Sequence, residues 1–152
     1  MQHYSLGFMF NKTKDQVVLI RRIRADWQQG MLNGVGGKIE PGENSHDSMV
    51  REFTEETGVA TDPGTDVIQG DWRQAIRYIL PSVVLHIFVT IDHENQYCTK
   101  VEDRGEGVPS LWRVDEVLRG SECVPNLKWI IPLLLAFTED PNLAPFDIRQ
   151  SW

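Results

Sequence analysis

Residues 37–59 read GKIEPGENSHDSMVREFTEETGV, a glycine-led turn running into an acid-rich helix, and that stretch constrains the chain more than any other. A helix advances about 100° per residue, so Glu52, Glu55 and Glu56 point into one arc roughly 100° wide. Carboxylates that close together repel one another and favour protons unless a cation neutralises them. All-oxygen donors suit Mg²⁺, with Mn²⁺ as its nearest substitute, far better than zinc or copper. Magnesium keeps some waters and takes phosphate oxygens as well, so the spacing predicts a divalent cation held against a diphosphate.

The rest of the stretch supports those acids. Met49, Val50, Phe53 and Thr57 occupy the neighbouring arc, which lets the helix bury one face and present the other. Arg51 lies four residues before Glu55 and four after Asp47, within reach of Glu43, and reads as an orienter of acids. Asn44 or Ser45 suits the N-cap, and Gly58 suits the left-handed residue past the C-terminus. Gly34, Gly36 and Gly37 leave the backbone open to a metal or phosphate. Three glutamates alone would read as a solvated helix face. The joint identities of Gly37, Glu43, Arg51, Glu52, Glu55, Glu56 and Gly58, with Phe53 and Val59 in apolar slots, argue against that.

At these residues the chain resembles the Nudix hydrolases, whose signature is GX5EX7REUXEEXGU with U a bulky apolar residue, and every position is met. The resemblance implies an α+β Nudix fold, an α/β/α sandwich around a mixed β-sheet. It covers nearly the whole chain as a single domain, residues 1–152, with the tail from about 139 to 152 least covered. It further implies that Glu52, Glu55 and Glu56, with the carbonyl of Gly37, hold the metals, and that Arg51 and Glu43 brace loop and helix.

Composition agrees with a chain able to bury its own core without disulfides or structural metal. Two cysteines, Cys98 and Cys123, form no disulfide or zinc pattern, so a reducing cytoplasm is the expected compartment. The longest apolar run, WIIPLLLAF, is too short to span a bilayer, and the start lacks a signal-peptide order. A formal net charge of −7 argues against a nucleic-acid polymer as partner but leaves nucleotides open. Nothing in the sequence sets an oligomeric state.

Along the chain, residues 4–10 and 16–23 read as a hairpin of two strands joined by NKTKD. DVIQGDWRQ (66–74), AIRYIL (75–80) and SVVLHIFVTI (82–91) read as further strands, with Pro81 at a break. GVPSLWRV leads a strand into the helix VDEVLRG, and NLKWIIPLLLAF (126–137) is the second long helix, bent or started by Pro132.

The resemblance implies attack of water on an internal phosphorus of a nucleoside diphosphate linked to a group X. Family members differ over the base that activates the water. Glu56 and Glu52 rank first here as base or ligand, and Glu106, on the loop KVEDRGEGVPSLW, is the second-site candidate, with Glu102 and Asp103 competing. For the substrate, WQQGMLNGVGGKIEPGE resembles the WNGFGGK…GE stretch of the MutT-like branch, which hydrolyses 8-oxo-dGTP to monophosphate and pyrophosphate. Asn33 then takes the base-reading position, where an amide offers both donor and acceptor. VPNLKWIIPLLL resembles that branch's late helix, but Asn126 and Leu127 stand in place of its acidic pair, which leaves the base open.

Trp27, Phe8, Phe10 and Trp129 are candidates to stack on a base, and Lys38 to touch phosphate. Trp112 is expected to pack beneath the acidic loop. His46, His86 and His93 have no partners at metal-ligand spacing. Rival readings are an ADP-ribose or dinucleoside polyphosphate pyrophosphatase and a non-catalytic nucleotide-sensing module.

Overall fold

The long apolar runs become the middle of a mixed sheet. The computed structural model describes residues 1–23, 26–59 and 72–151. In chain order its elements are β1 (Gln2–Asn11), β2 (Gln16–Arg22), β3 (Leu32–Asn33), β4 (Val35–Lys38), α1 (Ser45–Thr57), β5 (Arg73–Ile79), β6 (Val83–Asp92), β7 (Gly107–Arg113), α2 (Val114–Arg119), α3 (Leu127–Thr138) and β8 (Phe146–Arg149).

Strand side chains alternate between the two faces of a sheet, and here both faces are covered. Leu6, Phe8 and Phe10 of β1, Val17 and Leu19 of β2 and Ile87 and Val89 of β6 join the cluster that α3 completes with Leu127, Ile130, Ile131, Leu134 and Phe137. The intervening Met9, Val18, Ile20 and Phe88 join Met49, Val50 and Phe53 of α1 on the other side. This double burial is why the central strands read as continuous apolar runs. It also makes the α/β/α layering expected from the sequence.

β1 runs parallel to β6 from Gln2↔Val83 to Asn11↔Asp92, and β6 returns along β5 as an antiparallel hairpin around Pro81. The expected β1–β2 hairpin is present at its turn, in register at Phe10↔Val17. Beyond that point the two strands take other partners. β1 pairs with β4 from Tyr4↔Lys38 to Gly7↔Val35, while β2 pairs with β7 from Gln16↔Arg113 to Arg22↔Gly107 and with β3 at Ile20↔Asn33. Residues 32–38 thus cross from β2 to β1 and fill the wedge between them. Glycine permits this, because a methyl at Gly36 would fall on the Ser5 carbonyl.

Pro132 sits inside α3, which begins five residues earlier at Leu127, so it neither starts the helix nor ends it. Lys128 reaches back to the terminal carbonyls of α2, donating to Val117 O at 3.3 Å and Leu118 O at 2.6 Å. A cation at a helix C-terminus satisfies orphan carbonyls and complements the dipole. Of the strand read at 66–74, residues 66–71 lie outside the described ones, and Arg73 and Gln74 open β5, which continues through the following apolar run. The tail forms β8, parallel to β5 and clamped by Arg77 on Asp147 at 3.0 and 2.7 Å. No described helix is long and apolar enough to cross a membrane.

Candidate active site

α1 is held at both ends by the residues its sequence provides. Asn44 is the N-cap, its Oδ1 accepting from the Asp47 N–H at 2.8 Å, and Asn44 Nδ2 donates to Asp47 Oδ2 at 3.1 Å. Asp47 therefore serves the cap and not Arg51. Gly58 closes the helix at φ 73°, its N–H bonded to Thr54 O, a conformation that costs any residue with a Cβ. The buried face lies close on β1, since a methyl at Gly7 would meet Met49 Sδ at 2.5 Å. That close seat sets where the acids point.

Arg51 is the hub of the acidic face. Its Nε and Nη2 grip both oxygens of Glu43 at 2.8 and 3.0 Å, Nη1 reaches Glu52 Oε1 at 2.9 Å and Glu55 Oε2 at 3.1 Å, and Nη2 also donates to Lys38 O at 3.1 Å. A forked guanidinium suits this, because its donors lie in one plane. Hydrogen bonding from Arg51 holds the Glu43 carboxyl below its usual range. Arg51 itself is raised by the same partner. Arg51 thus contacts Glu43, Glu52 and Glu55 and ties turn, helix and β4 together.

The three glutamates, expected to share one volume, are drawn apart. Glu55 swings outward onto Arg51 with its side chain 55% exposed. Glu56 turns inward, is 2% exposed, and accepts from the Gly36 N–H at 3.3 Å. Glu52 lies between them against the backbone of Gly37, where a methyl would stand 2.5 Å from its Cδ. Among the described residues no three His, Cys, Asp or Glu side chains stand ready to hold a metal.

The second arginine was not anticipated. Arg22 ends β2 on the face toward α1, two residues past Ile20, and its Nη1 stands 3.3 Å from Glu56 Oε1 while Nη2 donates to Gly34 O at 3.2 Å. Arg21 points the other way, to Glu122 at 3.0 Å and over the Trp112 ring at 5.4 Å. Burial pushes the Glu56 carboxyl up to about 7, against the pull of Arg22, with repulsion from Glu52 adding to the rise. Burial also raises Glu52, opposed by Arg51. A strand-end arginine thirty-four residues before Glu56 in sequence carries no local signal. Only the alternation of Ile20 and Arg22 hinted at its face.

The remaining candidates separate by exposure. Phe8 and Phe10 are fully buried, and Phe8 seals against Gly34, so the expectation that either stacks on a base is corrected: core packing uses them. Trp27 is 68% exposed at the loop before β3. Asn33 is buried in β3 itself, its Oδ1 accepting from Gly34 N at 2.8 Å and its Nδ2 donating to Gln28 Oε1 at 3.1 Å. Lys38 is exposed and, with His3, Glu43, Ser45 and His86, lines an open hollow of about 570 Å³ beside the start of α1. Asn126 is half-buried at the entry to α3, in a segment whose backbone bonds to Leu32 at 2.8 and 2.9 Å through Glu122 and Val124.

On the acidic loop, Glu102 N–H bonds to Thr57 O at 2.9 Å, which docks the loop on the end of α1. Glu106 is exposed and immediately precedes Gly107, the register partner of Arg22. Trp112, expected to pack beneath the acidic loop, packs instead on the α3 side of the sheet, away from Val101 of that loop. Trp129 packs edge-on against Tyr78 at 5.3 Å. His86 is a structural bridge, 2.9 Å from both His3 and Gln74, and His46 lies edge-on to Phe88.

The NUDIX domain family matches residues 1–130. An uncharacterised Nudix hydrolase of Bacillus subtilis, YvcI, is 42% identical over 48 residues, which are 32% of this chain and 28% of that relative's length. Among solved structures, a MutT from work on Aliivibrio salmonicida and Vibrio cholerae superposes with a TM-score of 0.67 at 18% identity, covering 90% of this chain and 98% of that one. The MutT protein of Bacillus halodurans follows at 0.65 and 20%, covering 99% and 91%. An ADP-ribose pyrophosphatase of Streptococcus suis gives 0.61 and 14%, covering 98% of each. Likeness at such identities carries the fold alone, whereas the family match spans most of the chain and all of α1 with its caps. The chain belongs to the NUDIX domain family.

Proposed function

We propose that the chain is a divalent-metal-dependent pyrophosphohydrolase of nucleoside diphosphates linked to a group X, with a nucleoside triphosphate such as 8-oxo-dGTP as the first substrate and monophosphate plus pyrophosphate as products. The observation that carries this reading is the pairing of Arg51 with Glu43 and Glu52 above a buried Glu56. It keeps Glu52 close against the backbone of Gly37. That donor set is all oxygen and fits Mg²⁺ or Mn²⁺.

Glu52 and Glu56, with Glu55 and the Gly37 carbonyl, are the groups that would hold the cation. When bound, such an ion neutralises anhydride oxygens and lowers the pKa of water. The chain's own residues do the rest. Arg51 and Glu43 keep Glu52 oriented, and Lys38 offers a phosphate a positive charge at the lip of the turn. Water attacks phosphorus, the anhydride P–O bond breaks, and a carboxylate takes the water's proton. Glu56 and Glu52 rank first for that proton, with Glu106 the candidate from the acidic loop, which docks beside α1.

A triphosphate substrate is supported by Asn33 in β3 and by exposed Trp27 in the loop before it, an amide to read a base edge and a ring to cover the base. Asn126, entering α3 next to β3, is a second polar group for the base. An ADP-ribose pyrophosphatase remains the rival. Competition among 8-oxo-dGTP, dGTP, dATP, dCTP and ADP-ribose separates them. Faster cleavage of ADP-ribose than of any triphosphate would sink the triphosphate reading, and silence across the panel with Mg²⁺ and Mn²⁺ would favour a sensing module.

A further inference from the structure

Arg22 is the charged group of the site to which the reaction gives no task. Its side chain is only 11% exposed, and it faces α1 from the end of β2. Its Nη1 stands 3.3 Å from Glu56 Oε1, and the other carboxylate oxygen accepts from the Gly36 N–H, also at 3.3 Å. Both oxygens of Glu56 are therefore engaged from within the protein. Glu52, by contrast, meets Arg51 through Oε1, and Arg51 is neutralised by a two-pronged grip on Glu43 at 2.8 and 3.0 Å. The Arg22 contacts lie at the long end of the hydrogen-bond range, the Arg51 contacts near its optimum. One arginine is locked in place; the other is loosely held.

A guanidinium and a dication at one buried carboxylate repel each other strongly, because the low-dielectric surroundings screen them little. We propose that Arg22 is a resident counter-ion that competes with the divalent cation for Glu56 and gives up the carboxylate when the cation binds. This rests on the assignment of Glu56 as a metal-holding group. The contrasting role is that of a brace, presenting Glu56 to the metal as Arg51 presents Glu52. The two differ in sign: removing a brace weakens metal binding, and removing a competitor strengthens it.

The test is Mn²⁺ titration of the full chain without substrate, followed by the EPR signal of free Mn²⁺, at about pH 8.5 so that protons compete little for the carboxylate. Arg22→Met should bind Mn²⁺ about tenfold more tightly than wild type, and Arg22→Lys, which restores the charge, should return toward wild type. Should Arg22→Met fail to fold, Arg22→Gln keeps a donor for Gly34 O and takes its place. Glu56→Gln is the control and should bind about tenfold more weakly. Equal or weaker binding by Arg22→Met, with Glu56→Gln still impaired, overturns the competitor role and leaves the metal site standing. Wild-type affinity in Glu56→Gln overturns the metal assignment itself, and the competitor role with it.

Discussion

Glu56→Gln should stabilise the metal-free protein, and by an amount that depends on pH. The carboxyl is 2% exposed, and burial holds it near 7 against a usual 4.5. At 1.36 kcal/mol per pH unit, that gap is worth about 3 kcal/mol. Below pH 4.5 the group is protonated folded or unfolded and costs nothing. Between 4.5 and about 7 the folded chain binds a proton that the unfolded chain has released, so stability falls as pH rises. Above about 7 the full penalty stands.

Glutamine is neutral throughout, which removes the penalty. Its NH₂ must face either Arg22 or the Gly36 N–H, though, which returns part of the gain. The net expectation is about 1–3 kcal/mol at pH 8, or roughly 2–10 °C in Tm for a chain of this size, vanishing below pH 4.5. Thermal melts in a chelator at several pH values between 4 and 8 read it. A variant that is less stable than wild type at pH 8, or gains equally at pH 4 and 8, would refute the reasoning. Adding Mg²⁺ should reverse the order, because the ion stabilises the wild type by mass action and the variant much less.

Other outcomes follow from the same geometry. Arg51→Ala leaves Glu43 and Glu52 without their donor and should cost about 2–4 kcal/mol in urea unfolding together with most of the turnover; a stable variant that loses only substrate affinity would make Arg51 a phosphate ligand. Gly58→Ala forces a Cβ into the left-handed cap beside the Arg104 guanidinium and should cost about 1–2 kcal/mol without changing the substrate ranking. Glu106→Gln should lower kcat more than Glu102→Gln does; equal, small effects would return the base role to α1. Asn33→Ala should flatten the ranking of bases while leaving the metal requirement intact, and an unchanged ranking would remove Asn33 from base reading.

The parts of the fold that were legible in the sequence are those with a local physical cause. Asn44 and Gly58 announce the ends of α1, the apolar run from 127 announces α3, and Pro81 announces the turn between β5 and β6. β3 and β4 were not legible because their strand character comes from filling a wedge. Leu32–Asn33 and Val35–Lys38 are short and glycine-rich, and only their neighbours make them strands. β8 was missed for a similar reason: four residues of mixed burial are fixed by Ile76 and Arg77, some seventy residues earlier, with Phe137 of α3 against Phe146.

In the site, Arg51 and its acids were legible because i, i+4 spacing and one preceding turn fix who can reach whom. Glu55 and Glu56 share a helical arc, yet their ends part, since each follows a different arginine. Periodicity places Cβ atoms and not carboxylates. Phe8 illustrates the same limit: an aromatic beside a glycine loop reads as a stacking platform until both faces of β1 prove to be covered.

The central claim is that these carboxylates serve metal-dependent hydrolysis of a phosphoanhydride. Phosphorus-31 NMR of a nucleoside triphosphate incubated with the protein tests it most directly. Monophosphate and pyrophosphate should appear in equal amounts with Mg²⁺ and not at all with a chelator, and Glu52→Gln and Glu56→Gln should each lose orders of magnitude in rate. Product formation undiminished by the chelator or by both substitutions would contradict it, and release of orthophosphate in place of pyrophosphate would move the attack off the internal phosphorus.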